Sequence, residues 1–181
     1  ETAIRAANVE AFTDPLFQPL VRISSGAAWL EGVTLVGGAG GPYYSGTAYG
    51  IGSAVEMSAG VMTNCVIRDT YLGHYNGSEP TMLMSGGDVS DLLLTGCRNW
   101  SIAGGAPEGA AVRITGGTID RTIVSNCWTY GSNSSGTQGS VLAVKGGNVR
   151  NALVVGCTAI RSAPVYISSG YLEHATIVCN T

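Results

Sequence analysis

The sequence predicts an all-β chain wound as a right-handed parallel β-helix of about six coils, 23 to 34 residues per coil, in a single domain over residues 1–181. Three observations carry this expectation. One segment recurs along the chain, apolar residues alternate with period two inside it, and a glycine falls at the same place in each copy. The clearest copies are LAVKGGNVRNALVVGC from Leu142, VRITGGTIDRTIVSNC from Val112 and MLMSGGDVSDLLLTGC from Met82, which align without a gap. Weaker copies are VEMSAGVMTNCVIRDT from Val55, VYISSGYLEHATIVCN from Val165 and VRISSGAAWLEGVTLVGG from Val21, the last read with one extra residue.

The first strand of each copy presents two inward columns: Val21, Val55, Met82, Val112, Leu142 and Val165, then Ile23, Met57, Met84, Ile114, Val144 and Ile167. An amphipathic helix is excluded, because the alternation has period two and recurs between glycines that would end a helix. A glycine closes that strand, at Gly26, Gly60, Gly87, Gly117, Gly147 and Gly170, at intervals of 34, 27, 30, 30 and 23 residues. A solenoid absorbs such variation in outward loops while its strands keep register. Beyond the glycine come inward positions Met62, Val89, Ile119, Val149 and Leu172, and later Ile67, Leu94, Val124, Val154 and Ile177. Between them, Val66, Leu93, Ile123 and Leu153 fall on the outer side as an aliphatic stripe that a cover should protect. The candidates are the segment Phe12–Leu20 with Phe17, or a neighbouring subunit. Residues 1–20 are read as a preceding partial coil or as that covering segment, and residues 21–181 as the repeats. Right-handedness follows from the near-universal hand of parallel crossovers.

Composition agrees with this architecture. Glycine supplies 27 of 181 residues, and charged residues only 12%, about half the usual share. The net charge of −3 comes without a basic run, so a nucleic-acid partner and an anionic membrane surface are not expected. Glycines interrupt each apolar run before it reaches the ~18 residues of a membrane span, and no membrane insertion is expected. Low charge with abundant Ser, Thr, Asn and Gly points to an extracellular or cell-surface setting. The chain opens at Glu1 and offers no capping helix, which suggests an excerpt of a longer β-helix or ends that meet other copies in a filament.

The repeat unit of strand, Gly-Gly, Val-x-Asn, apolar pair and Gly-Cys or Asn-Cys resembles the right-handed β-helix repeats of the pectate-lyase-like superfold. In style it is most similar to the Gly-rich repeats of bacterial surface proteins and autotransporter-type passenger regions. The resemblance covers residues 20 to 181 and implies the fold. It implies no single activity, since that superfold hosts lyases, hydrolases, adhesins and inert fibres. Neither the Asn-Thr-Asp and Gly-His-Gly signatures of polygalacturonases nor a lyase-like Asp, Arg, Lys set is present.

Cys97, Cys127 and Cys157 occupy one place in consecutive copies, while Cys65 and Cys179 sit in other columns. Their 30-residue spacing without a matching histidine does not suit zinc, and neither a metal nor a cofactor is expected. Small buried hydrophobes filling a corner are the simpler reading, with disulfide connectivity open.

Among charges, Asp120, Arg150 and Glu173 follow one another on neighbouring copies, and Asp91 faces Arg121. These pairs fit a solvated face. If the chain were an enzyme, Asp88, Asp91 and Asp120 are the carboxylates to consider. Asn76, Asn99 and Asn133 each stand in an Asn-x-Ser sequon expected in a loop.

Variable loops are expected at one corner, from Ala39 to Ala54, Tyr71 to Thr81, Arg98 to Ala111, Trp128 to Val141 and Thr158 to Pro164. They carry Tyr43, Tyr44, Tyr49, Tyr71, Tyr75, Trp100, Trp128 and Tyr130, aromatics suited to stacking on sugars or anchoring a protein. The functional expectation is a non-catalytic structural or adhesive β-solenoid that self-associates or meets a glycan or cell-surface partner. The alternative is a β-helix that binds or cleaves polysaccharide.

Overall fold

The computed structural model describes residues 2–5, 19–37, 53–74, 79–101, 108–131, 140–160 and 162–181. Its strands are, in order, β1 (Thr2–Arg5), β2 (Val21–Ile23), β3 (Trp29–Glu31), β4 (Val33–Val36), β5 (Val55–Met57), β6 (Val61–Arg68), β7 (Tyr71–His74), β8 (Met82–Met84), β9 (Asp88–Thr95), β10 (Arg98–Ser101), β11 (Val112–Ile114), β12 (Thr118–Ser125), β13 (Trp128–Gly131), β14 (Leu142–Val155), β15 (Thr158–Ile160), β16 (Val165–Glu173) and β17 (Thr176–Val178). Strand pairing is parallel between equivalent segments of successive repeats, so the chain is an all-β parallel solenoid.

Three walls enclose the core. The first stacks β2, β5, β8, β11 and the starts of β14 and β16. The second stacks β6, β9, β12 and the second half of β14, with β3 and β4 beneath β6 and β17 on β14. β1 pairs with β4 in the same wall, Thr2 opposite Val33. The third is a separate sheet of four strands, β7, β10, β13 and β15.

That third wall corrects the expected count of six coils. Among the described residues, six segments stack in the first wall, but four stacked strands in the closing wall bound only about three full turns of the three-walled prism. It also corrects the loops: the residues at Tyr71, Arg98, Trp128 and Thr158 begin strands, so a third wall stands where only loops were expected. These strands are three or four residues long and carry Gly73, Arg98, Asn99 and Ser101, which weakens any period-two apolar signal.

The inward columns hold in the middle rungs. In the last rung Ile167 and Ile177 are exposed, since no described rung covers them, and Val165 and Leu172 are half-buried, as is Val21 in the first. Val55, Met82, Val112 and Leu142 are buried, as are Met57, Met84, Ile114 and Val144. Ile67, Leu94, Val124 and Val154 are fully enclosed on the second wall. Each large side chain removed from water contributes roughly 1.5–3 kcal/mol against the entropy of ordering the coil.

The first corner depends on glycine. Gly87, Gly117, Gly147 and Gly170 have positive φ, and a Cβ on any of them would stand 2.3–2.7 Å from the carbonyl oxygen of the glycine one rung below. The chains approach so closely because the corner is hydrogen-bonded between rungs, with Thr118 N–H donating to the Gly87 carbonyl at 3.0 Å. Gly26 does not belong to this stack. Register places Trp29 opposite Val61, which puts Ala28 beneath Gly60, so the first repeat carries two extra residues rather than one. A Cβ at Gly26 would meet nothing within 4 Å.

A second corner lies inside the long strands. Asn64, Asp91, Arg121, Asn151 and His174 all take left-handed backbone, φ 50–53°, with Gly32 in the equivalent place of the first repeat. The left-handed residue bends the strand and resets its alternation. Two outward residues occur in succession, and Cys65, Leu92, Thr122 and Ala152 turn inward as a further buried column. Asn and Asp tolerate this backbone better than other residues with side chains. A third left-handed column, Gly37, Asp69, Gly96, Asn126, Gly156 and Cys179, turns the chain into the third wall.

Candidate functional site

Two outer surfaces and one internal column bring chemistry-bearing residues together. The first surface is the bend in the second wall. Arg121 reaches down one rung to Asp91 through two bonds, Nε to Oδ1 at 2.7 Å and Nη2 to Oδ2 at 2.8 Å. Its Nη1 donates to Asp120 Oδ2 at 2.5 Å. The other Asp120 oxygen accepts from Asn151 Nδ2 at 2.7 Å and lies 3.4 Å from Arg150 Nε. Stacking of equivalent positions on consecutive rungs makes this network, since parallel rungs bring residues some 30 apart in sequence to roughly 4.8 Å.

The electrostatics follow. The hydrogen bond from Arg121, and then its charge, hold the Asp91 carboxyl below the usual carboxylate range. Asp120 is held low first by the bond from Asn151, then by the charges of Arg121 and Arg150. Arg121 is raised in turn by Asp91 and Asp120. Both carboxylates are therefore ionised and engaged at neutral pH, which suits neither a general acid with its proton in hand nor a base poised near neutrality. Asp88 stands apart and exposed at the start of β9, opposite Val61 and Thr118. Of the three candidate carboxylates the structure thus gathers two, around an arginine. Among the described residues, no group of three or more His, Cys, Asp and Glu is placed to hold a metal ion.

At this network runs a shallow groove of about 640 Å³, lined by the apolar Leu93, Ile123 and Leu153 and the polar Asp91, Arg121, Asn151 and His174 among others. Three residues of the outward stripe lie here, Leu93 and Leu153 half-buried and Ile123 42% exposed, while the half-buried Val66 falls outside the groove. Phe17, named as part of a cover, lies outside the described residues.

The second surface is the outer face of the third wall. Its inward positions are Leu72, Asn99, Thr129 and Ala159, all buried. Alternation then sends Tyr71, Arg98, Trp128 and Thr158 outward in one in-register row, with Tyr130 two residues beyond Trp128. Tyr71 is exposed. The rings of Trp128 and Tyr130 stack face to face, with centroids 5.9 Å apart and planes 11° from parallel. Trp100 occupies β10 opposite Gly73 and Tyr130. Tyr71, Trp128 and Tyr130 therefore sit on a sheet rather than on loops. Arg98, which sequence reasoning passed over, stands between Tyr71 and Trp128; its place was readable from its alignment with Trp128 once a strand was recognised there. Tyr43, Tyr44, Tyr49 and Tyr75 lie outside the described residues.

Asn99 corrects a further expectation. It belongs to strand β10, is fully buried, and its Nδ2 donates to the Glu79 carbonyl at 2.6 Å. A sequon asparagine held this way is closed to glycosylation in the folded chain. Asn76 and Asn133 lie outside the described residues.

The internal column is made of Cys97, Cys127 and Cys157, all buried, and all five cysteines are free. Cys65 stands in the inward column beyond the second corner, and Cys179 is exposed at a left-handed position.

Comparison of the chain with protein-family models, with curated proteins and with solved structures returns no match.

Proposed function

We propose that the chain is a non-catalytic adhesive β-solenoid of an extracellular or cell-surface setting, whose binding surface is the outer face of the third wall and whose ligand is a saccharide. The supporting observation is the aromatic row on a hydrogen-bonded parallel sheet. Tyr71, Trp128 and Tyr130 point outward from strands in register, with the guanidinium-bearing Arg98 between two of them. Aromatic faces stack on the apolar faces of sugar rings, and a sheet holds them at fixed spacing without an ordering cost at binding. The polysaccharide-cleaving alternative needs a carboxyl free to give or take a proton, whereas Asp91 and Asp120 are committed to Arg121.

Binding of the purified chain to immobilised glycans tests this. The expected result is retention on one polysaccharide class, weakened at least tenfold by Trp128→Ala combined with Tyr71→Ala and unchanged by Asp91→Asn. Retention that survives loss of both aromatics, or turnover of the polysaccharide abolished by Asp91→Asn, overturns the proposal.

One observation favours self-association as a second reading. Ile167 and Ile177 are 48% and 46% exposed, although Val144 and Val154, one rung below in the same columns, are fully buried. A further rung laid on β16 and β17, whether of continuing chain or of a second copy, would cover them, and in this reading a second copy supplies it. Electron microscopy decides: elongated particles of varying length support stacking, and uniform short rods at high concentration refute it.

A further inference from the structure

The outer face of the third wall carries a charge pattern that goes beyond its aromatic rings. Arg22, Arg68, Arg113, Arg121, Lys145 and Arg150 each lie against a carboxylate. Arg98 is exposed and pairs with no carboxylate among the described residues. Its neighbours in the outward row, Tyr71 one rung below and Trp128 one rung above, bear no charge. Backbone bonds between rungs hold the row in place, with Arg98 N–H donating to the Thr70 carbonyl at 2.8 Å and Trp128 N–H to the Cys97 carbonyl at 2.8 Å.

The row crosses the strands and therefore runs along the solenoid axis. It reads aromatic, cation, aromatic, hydroxyl at Tyr71, Arg98, Trp128 and Thr158, one residue per rung. Rungs of a parallel sheet repeat at about 4.8 Å, close to the length of one sugar in an extended polysaccharide. A polymer laid along the axis thus meets a different side chain at each successive sugar.

We propose that the ligand of this wall is an unsulfated polysaccharide in which uronate and uncharged sugars alternate, bound along the axis with a uronate carboxylate on Arg98 and uncharged sugars on Tyr71 and Trp128. This rests on the saccharide-binding reading of the same surface.

The planar fork of a guanidinium matches a carboxylate through two parallel N–H···O bonds, and an arginine without a partner of its own loses no ion pair in making them. Uncharged sugars offer their C–H faces to the rings at the two flanking rungs. A polymer acidic at every sugar would instead set unpaired carboxylates against Tyr71 and Trp128, on a chain whose formal net charge is already −3. A densely sulfated polymer meets the same repulsion at more points. One cation between two uncharged rungs therefore selects for acid at every second sugar.

The test measures affinity of the purified chain, at one fixed low ionic strength, for five immobilised polymers. Hyaluronan and chondroitin alternate glucuronate with an N-acetylated sugar, carboxyl-reduced hyaluronan is the uncharged counterpart, polygalacturonate is acidic at every sugar, and dextran sulfate is densely sulfated. The expected result is binding to hyaluronan or chondroitin at least tenfold tighter than to each of the other three. Arg98→Gln abolishes that preference, a loss of about tenfold for removing a charge-assisted contact. Arg98→Lys, which keeps the charge but not the fork, retains part of it. Arg150→Gln, whose partner Asp120 is on the second wall, leaves it unchanged. Circular dichroism matching the parent establishes that the variants are folded.

Equal affinity for hyaluronan and its carboxyl-reduced form, lost with Tyr71→Ala and Trp128→Ala together, overturns this proposal while the saccharide-binding reading stands. So does equal or tighter binding to polygalacturonate or dextran sulfate, or a preference that survives Arg98→Gln. Absence of binding to every polysaccharide overturns both readings.

Discussion

Gly117→Ala puts the architecture under a quantitative test. Gly117 sits at φ 89°, where an L side chain costs roughly 1–2 kcal/mol. Its new Cβ would lie 2.4 Å from the Gly87 carbonyl oxygen and 2.6 Å from Met84 Cε. The methionine tip can swing aside, but the carbonyl belongs to a backbone hydrogen-bonded between rungs, so the rungs must part. Overpacking of this kind costs about 1–3 kcal/mol. Reduced freedom of the unfolded chain returns about 0.4–1 kcal/mol. The net loss is roughly 2–4 kcal/mol, which lowers the melting temperature by about 5–15 °C in a chain of this length. Gly26→Ala is the control. In sequence Gly26 is one of the same series of glycines, yet its φ is not positive and a Cβ there meets open space. That change leaves stability within about 1 kcal/mol of the parent. Urea and thermal denaturation followed by far-ultraviolet circular dichroism measure both. If the two substitutions differ by less than 1 kcal/mol, stacking of glycine backbones does not govern the corner.

Core position sets the cost of the next pair. Met84→Ala, in a fully enclosed column, is expected to cost about 2–5 kcal/mol, whereas Ile177→Ala, 46% exposed, costs under about 1 kcal/mol in the same denaturation assay. Asn99→Ala removes the donor to the Glu79 carbonyl and is expected to lose about 1–3 kcal/mol. Expressed in a glycosylating host, the folded parent carries no glycan on Asn99, which intact and peptide mass measurement checks. The carboxylates predict an acid limb. Asp91 and Asp120 have folded pKa values below those of the unfolded chain. Their contribution is therefore present above roughly pH 4, the unfolded value, and is lost as pH falls through the lower folded values. Asp120→Asn lowers stability at neutral pH and flattens the loss below pH 4; parallel pH curves for variant and parent refute the network.

Much of the fold was legible because its signals are local. Met82, Val112 and Leu142 alternate with Met84, Ile114 and Val144 at two-residue spacing, and the glycine follows at a fixed distance, so wall, corner and stacking order follow from the string alone. The third wall was not legible, since Tyr71, Arg98 and Trp128 are a row only after the coils have closed, and their short strands bury a polar Asn99 and Thr129 along with Leu72. The left-handed corner was half legible. Asn64, Asp91, Asn151 and His174 are residue types that favour such backbone, whereas Arg121 adopts it in a column between Asp91 and Asn151. For the candidate site, the pairing of Asp91 with Arg121 could be read from alignment, while the sharing of Arg121 with Asp120 could not.

By itself, then, the sequence determined that this chain is a parallel β-solenoid, which columns fill its first wall and part of its second, and that three cysteines fall in one line. Those are consequences of periodicity, and periodicity survives in one dimension. Only the tertiary structure decided that, among the described residues, four strands close the prism, that aromatics of that wall stand outward from a sheet, that Asn99 is enclosed, and that Gly26 stands outside the glycine stack. Each of these depends on what lies one rung away, and the unequal sequence intervals between rungs hide that distance from the sequence.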